Sequence, residues 1–345
     1  MRLADNQYYQ NCLRETFKYL KEKSGTILVT GASGLIGSCV IDALLLANDL
    51  HETKFTVFAV GRDASKLEER FGKRADLRFI IQDITAPFDC KIKFDYIIHA
   101  ASNADPKTYA LYPVETILTN VCGSGRILEY CRQHPDARVL FTSSFEMYGR
   151  KSDGDVYREN DFGLIDHNDL RSGYPESKVV SELLFRSYHA EYGINCVIVR
   201  LSSIYGPTMK LNDSKAHAQF LTRGLEKKDI VLKSEGSQVR TYTFVIDAVS
   251  GIFKVLFDGV SGEAYNIANK DSVVSIKQVA ANVAEICGVK VVFDLPDELE
   301  KQGFSKPQNC ILDASKLEAL GWRGAYPLYK GLETTVSILS QIRNT

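Results

Sequence analysis

Strong biases are missing from this sequence, and their absence narrows the possibilities first. Basic and acidic residues number 42 and 43, for a formal net charge of −1, and no lysine or arginine block occurs. Electrostatic capture of nucleic acid or of an acidic membrane surface needs such a block, so neither is an expected partner. No apolar run reaches the roughly 18 residues of a membrane span. The opening Met1-Arg2-Leu3-Ala4-Asp5 lacks the apolar core of a secretory signal, so a cytoplasmic location is expected. Eight cysteines (Cys12, Cys39, Cys90, Cys122, Cys131, Cys196, Cys287 and Cys310) form no CxxC pair and no zinc-like spacing. Reduced, buried thiols and no metal follow. Repeats and low-complexity stretches are also lacking, which excludes solenoid and disordered classes.

What is present suits a globular enzyme. Hydrophobic residues make up 45% of the 345 positions, enough for a large core, and the length suggests one α/β unit with a smaller region attached. Tyr9, Leu13, Phe17 and Leu20 recur at helical spacing, so residues 4–23 are expected to form one amphipathic helix. Its apolar face could meet the core or a second subunit. Strands are expected over 26–30, 55–60, 77–81, 96–99, 138–142 and 195–201, and helices over 35–46, 64–71, 113–131 and 175–192. Such alternation specifies a doubly wound parallel sheet of the Rossmann type, an α/β fold with helices on both faces. Beyond 201 the pattern loosens, with strand candidates at 230–232, 239–245 and 289–293. The expected organisation is an N-terminal helix over 1–23, a dinucleotide-binding domain over 24–201 with a return segment near 241–268, and a smaller C-terminal α/β substrate lobe from 202–240 and 269–345.

Gly31, Gly34 and Gly37 in TGASGLIG lie between the first strand and the following helix. The first allows the turn, the second lets backbone approach a pyrophosphate, and the third lets the helix pack close to the sheet. Free N–H groups at the helix start would bind the anion; Gly31, Ser33, Gly34, Leu35, Ile36 and Gly37 are the expected contacts. A ligand-free glycine turn is the alternative. Dinucleotide folds that prefer NAD place a carboxylate at the end of the second strand, where this chain has Val60-Gly61-Arg62. Arg62 suits a 2′-phosphate, which makes NADP(H) the preferred cofactor and NAD(H) a possible one, unless Arg62 is a plain surface charge. Asp83, ending the third strand, is placed to accept from the adenine amino group or to cap a turn.

Tyr174 and Lys178 fall four residues apart at the start of a helix and therefore on one face. Ser143 and Ser144 follow the strand before them. An ammonium beside a phenol lowers its pKa from near 10, so Tyr174 is expected to exchange a proton with a hydroxyl or carbonyl, with Ser144 holding the reacting oxygen. A core tyrosine with a solvated lysine is the alternative.

TGASGLIG, DYIIHAAS (95–102), Asn120 in LTNVCG, FTSSFEMYG (141–149), Tyr174-Pro175-Glu176-Ser177-Lys178, RLSSIYGP (200–207) and Arg240 in QVRTYTFVID occur in the order of the extended short-chain dehydrogenases. Over about residues 24–325 the chain resembles that family of nucleotide-sugar epimerases and dehydratases. Through ADPKTYALYPVETILTN, Glu146 in SFEMYG, Glu159, Arg171-Ser172-Gly173-Tyr174 and YGPTMKLNDSK it is most similar to the UDP-glucuronate decarboxylase branch. The resemblance implies Ser144, Glu146, Tyr174 and Lys178 as catalytic residues, with Ile84, Ala100, Ala101, Ser102 and Asn120 at the cofactor. It further implies Ser203, Lys215 and Arg240 at the substrate, Arg240 on its diphosphate, and a homodimer formed through two helices per subunit.

Three departures matter. Phe145 replaces the Asp of the dehydratase Asp-Glu pair, which disfavours dehydration. Ser203 and Thr208 stand where decarboxylases carry Asn and Arg, and Ser305 before Lys306-Pro307 stands where they carry an Arg. Fewer arginines point to a different substrate. An NADP-type Arg62 leans toward net chemistry, so the expected function is NADP(H)-dependent reduction of a carbonyl on a nucleotide-linked sugar or ketose to a hydroxyl or polyol. The alternatives are an internal-redox enzyme, acting as decarboxylase, 4-epimerase or, less readily, 4,6-dehydratase, and a non-catalytic cofactor sensor.

Overall fold

A computed structural model describes residues 2–50, 52–295 and 309–343. The chain opens with α1 (Gln7–Leu13) and runs into β1 (Ser24–Thr30), α2 (Leu35–Asp49), β2 (Lys54–Gly61), α3 (Ala64–Phe71), β3 (Leu77–Ile81) and β4 (Tyr96–His99). There follow α4 (Pro106–Leu111), α5 (Pro113–Gln133), β5 (Arg138–Ser144), β6 (Val156–Tyr157), α6 (Gly173–Tyr192), β7 (Cys196–Leu201) and β8 (Ser203–Tyr205). The later part holds α7 (Ala216–Leu225), β9 (Ile230–Leu232), β10 (Val239–Phe244), α8 (Val245–Asp258), β11 (Ala264–Ile267), β12 (Val273–Ser275), α9 (Ile276–Cys287), β13 (Val291–Phe293), β14 (Ile311–Leu312), α10 (Ser315–Ala319) and α11 (Leu328–Arg343).

Seven strands form one parallel sheet in the order β11-β7-β5-β4-β1-β2-β3. Both faces are covered, which is why β1 and β7 read as continuous apolar runs rather than alternating ones. One apolar cluster packs α2 and α8 against the sheet; a second packs the sheet against α5 and α6. The chain winds outward from β1 to β3 and then crosses back to β4. That reversal opens a crevice at the carboxyl ends of β1 and β4, where open α/β sheets take their ligands. Three further sheets are small: β12-β10-β8, β13-β9 and β14-β6.

Two expectations need correction. The segment 4–23 is not one helix, because α1 ends at Leu13 and a 3₁₀ turn covers Arg14–Tyr19. Thr16 Oγ1 donates to the Leu13 carbonyl at 2.7 Å, occupying the acceptor that a continuing α-helix would offer to residue 17. The segment's apolar face is used internally: Tyr9 is fully buried and its hydroxyl donates to Asp42 on α2 at 2.9 Å. Secondly, the return to the main sheet is made by α8 and β11 alone. The strand expected over 239–245 ends at Phe244 and pairs with β8 and β12 in the small sheet.

Candidate active site

The crevice is built by the glycine turn and the end of β4. Gly31 has φ 67°, and a Cβ there would lie 2.5 Å from the Ala100 carbonyl oxygen; a Cβ at Gly37 would lie 2.4 Å from that of Gly31. Any side chain at either position would close the turn. Ser33, Gly34, Leu35 and Ile36 lead into α2, so first-turn N–H groups face the crevice. Thr30 Oγ1 accepts from Ala100 N and Ala101 N, both at 3.1 Å, and with its lone pairs filled must donate to His99 Nδ1 at 2.8 Å. This bond set locks β1 to β4 at the switch point. Ser102 Oγ and Asn120 Oδ1 are buried without a hydrogen-bond partner among the described residues, while Asn120 Nδ2 donates to Ser177 at 2.8 Å. A side-chain-free cradle with unfilled polar atoms beside it fits a dinucleotide.

At the far end of the crevice Arg62 reaches across to two carboxylates, Glu115 Oε1 at 3.3 Å and Asp83 Oδ2 at 3.8 Å. Asp83 also accepts from Thr85 N and Oγ1 at 2.9 and 2.7 Å, a capped turn of its own. Ile84 is buried beside it and packs against α5 at Gly123.

Ser144 ends β5, and Tyr174 and Lys178 occupy the first turns of α6. Ser144 lies close enough to Tyr174 to favour the charged form of the phenol, and its Oγ accepts from Glu146 N at 3.2 Å. Lys178 Nζ lies 5.9 Å from the centre of the Tyr174 ring and donates to the Thr142 carbonyl at 2.8 Å. The electrostatics depart from the expectation. Burial pushes the Tyr174 phenol well above its usual range, and the charge of Glu146 adds to this more than Ser144 offsets. Burial also pulls Lys178 down to about 7, which weakens the charge it brings to the phenol.

Glu146 stands on the 3₁₀ turn after β5. Burial raises its pKa, opposed by the charges of Arg240, Lys215 and Arg171 and by a hydrogen bond from Tyr109. Tyr109, on α4, stacks on Tyr174 with ring centres 5.0 Å apart and planes at 12°. Arg240 lies over Phe145 at 5.4 Å, with Nε buried and without a hydrogen-bond partner among the described residues. Ser203 is buried on β8 opposite Tyr242 of β10, and Lys215 precedes α7 with Nζ 3.1 Å from Asp213. Thr208 donates to the Leu35 carbonyl at 2.8 Å, so it braces the start of α2 just after the glycine turn. Glu159 is structural: its carboxylate accepts from Asn266 N at 2.8 Å. Ser305, Lys306 and Pro307 lie outside the described residues.

The structure thus gathers Ser144, Glu146, Tyr174 and Lys178 at one end of the crevice, with Arg240 and Lys215 near enough to act on Glu146. Tyr109 and Arg171 join them without having been assigned roles from sequence. Both stand within the quoted ADPKTYALYP and RSGY motifs, and their alternation with Tyr174 is visible only in space. Among the described residues no three His, Cys, Asp or Glu side chains cluster to hold a metal ion, and no helix is long and apolar enough to cross a membrane.

A glycine turn at the switch point and a Tyr/Lys pair beside it define a nicotinamide-dinucleotide enzyme of the short-chain type. The model of the NAD dependent epimerase/dehydratase family matches residues 27–268. UDP-glucuronic acid decarboxylase 6 of Arabidopsis thaliana is 31% identical over 89% of this chain and 86% of its own. UDP-glucuronic acid decarboxylase 1 of Xenopus tropicalis is 29% identical over 92% and 73%. A UDP-glucose 4-epimerase of Thermotoga maritima shares the fold with a TM-score of 0.79 at 24% identity, over 92% of this chain and 99% of that one. A dTDP-glucose 4,6-dehydratase of Streptomyces venezuelae, solved with NAD, aligns at 0.78 and 25% identity over 92% and 98%. The chain belongs to the NAD-dependent epimerase/dehydratase family and is an enzyme of the extended short-chain dehydrogenase type. The non-catalytic alternative is thereby set aside.

Proposed function

We propose that the enzyme performs internal redox on a nucleotide-linked sugar: one carbon is oxidised, the neighbouring carbon reacts, and the first is reduced again. The observation that carries this is Glu146, a second titratable group beside Tyr174. Reducing a carbonyl to a hydroxyl needs one proton donor, whereas loss of carbon dioxide or epimerisation next to a ketone moves a further proton. Tyr174 exchanges the proton of the reacting hydroxyl, Ser144 holds that oxygen, and Glu146 handles the proton at the adjacent carbon. Arg240 and Lys215 hold the diphosphate. The glycine turn, Ser102 and Asn120 hold the dinucleotide, whose nicotinamide, when bound, accepts a hydride and returns it. The decarboxylase relatives make UDP-glucuronate the first substrate to test. The test follows carbon dioxide and sugar products by NMR with cofactor far below substrate. The reading fails if UDP-glucuronate, UDP-glucose and dTDP-glucose all stay unchanged.

A second reading, net carbonyl reduction with NADP(H), is supported by Arg62 at the end of β2 and by a Tyr174 that holds its proton firmly. A 2′-phosphate would have to displace Glu115 and Asp83 from Arg62. Stoichiometric NADPH consumption with a nucleotide-linked ketosugar would favour this reading. Tighter binding of NAD than of NADP would oppose it. We also propose a homodimer formed through α5 and α6, whose outer faces expose Val114, Leu118, Val180 and Leu183. Light scattering of the Leu183→Glu variant tests it, with a monomer expected.

A further inference from the structure

α4 spans only six residues, yet it carries a second phenol to the catalytic pair. Tyr109 is buried, and its ring lies parallel to that of Tyr174. Its hydroxyl faces Glu146 Oε2 at 3.5 Å, the outer limit of a hydrogen bond. The Arg171 guanidinium lies 5.9 Å from its ring centre. At the other end of the helix Asp105 fixes its position. One carboxylate oxygen accepts from Thr108 N and Oγ1, both at 2.9 Å. The other accepts from Ser214 N and Oγ at 2.7 and 2.6 Å. Ser214 Oγ in turn accepts from Lys107 N at 3.0 Å. Ser214 immediately precedes Lys215, so Tyr109 is tied to the loop that bears one of the substrate-facing cations.

We propose that Tyr109 is a positioning residue for the Glu146 carboxyl: its hydroxyl donates to that carboxyl, and its stacked ring sets the spacing between the carboxyl and the Tyr174 phenol. This rests on the reading of Glu146 as the second acid–base group. The two rings lie parallel with centres 5.0 Å apart, and the Tyr109 hydroxyl reaches the Glu146 carboxylate, so Tyr109 links that carboxyl to the Tyr174 ring. A phenol suits the task because it donates without ionising near neutral pH. The carboxyl it faces is the one on which Arg240, Lys215 and Arg171 act, so removing the donor takes away a stabilising partner of the charged form.

Tyr109→Phe keeps the stacked ring and removes only the donor. Carboxyl NMR of ¹³C-glutamate-labelled protein with NAD, with Glu146→Gln identifying the resonance, is expected to show Glu146 titrating about half a pH unit higher in Tyr109→Phe than in the parent. With UDP-glucuronate, turnover is expected to fall about tenfold at unchanged KM, and the pH limb assigned to Glu146 should move upward. Equal Glu146 midpoints in the two proteins would overturn the proposal, whatever the kinetics. An intact NMR shift with no reaction of UDP-glucuronate would keep Tyr109 in its role and count against the decarboxylase reading alone.

Discussion

Two clusters of like composition lie about the sheet, and they differ in how completely their polar groups are satisfied. Glu182 and Arg200, both nearly inaccessible, form a two-pronged pair at 2.7–3.2 Å. The remaining donors of Arg200 reach the Tyr148 hydroxyl and the Glu159 carbonyl at 3.0 and 2.7 Å. In the second cluster, among the described residues, the Glu146 carboxylate accepts one hydrogen bond, the long contact from Tyr109, and Arg240 keeps a buried Nε without a hydrogen-bond partner. Buried polar groups normally find partners. The unfilled capacity around Glu146 and Arg240 is what the proposed substrate site would offer a ligand, whereas the closed Glu182–Arg200 set is scaffold.

The contrast can be broken by deletion. Glu182→Ala strands a buried guanidinium and is expected to cost about 3–5 kcal/mol of stability, read by urea unfolding; a loss under about 1 kcal/mol would remove the distinction. Tyr174→Phe in the open cluster should do the opposite. Turnover is expected to drop by roughly 10²–10⁴, while the unfolding midpoint and cofactor affinity, followed by calorimetry, stay near those of the parent. Arg240→Ala should weaken binding of UDP about tenfold or more and cost less stability than Glu182→Ala, since no hydrogen bond of its side chain is lost among the described residues.

A pH experiment sharpens the comparison further. Lys178 has a folded-state pKa lowered by burial to about 7, below its unfolded value near 10.4. A base depressed in this way supports the fold above the unfolded pKa and ceases to as the pH falls through the folded one. Relative to Lys178→Met, the cofactor-free parent is therefore expected to lose stability, on the order of a few kcal/mol, as the pH drops from about 10 to about 7, and to show no further change below. A flat difference across that window would mean that the lysine is not desolvated.

Much of this was legible beforehand because it depends on short stretches of chain. The strands, the glycine turn and the Tyr174/Lys178 spacing each follow from neighbours a few residues apart. Tyr109 was not legible as a site residue: it is 65 positions from Tyr174 in sequence and meets it only because α4 folds over the start of α6. The burial of Lys178 was not legible for a related reason. Helical spacing placed the ammonium beside the phenol, but the degree of burial that weakens its charge is a property of the closed sheet and its helices. β6, β8, β12 and β14 are two or three residues long, too short to carry a periodic pattern.

By itself the sequence determined the class of fold, the family and the glycine turn between β1 and α2, because hydrophobic periodicity and glycine conformations act locally. Tertiary structure alone decided which carboxylates hold Arg62, which charges surround Glu146 and how firmly Tyr174 keeps its proton. Those depend on distance and desolvation among groups brought together from α4, β5, α6, α7 and β10, and neither quantity is written in any single segment.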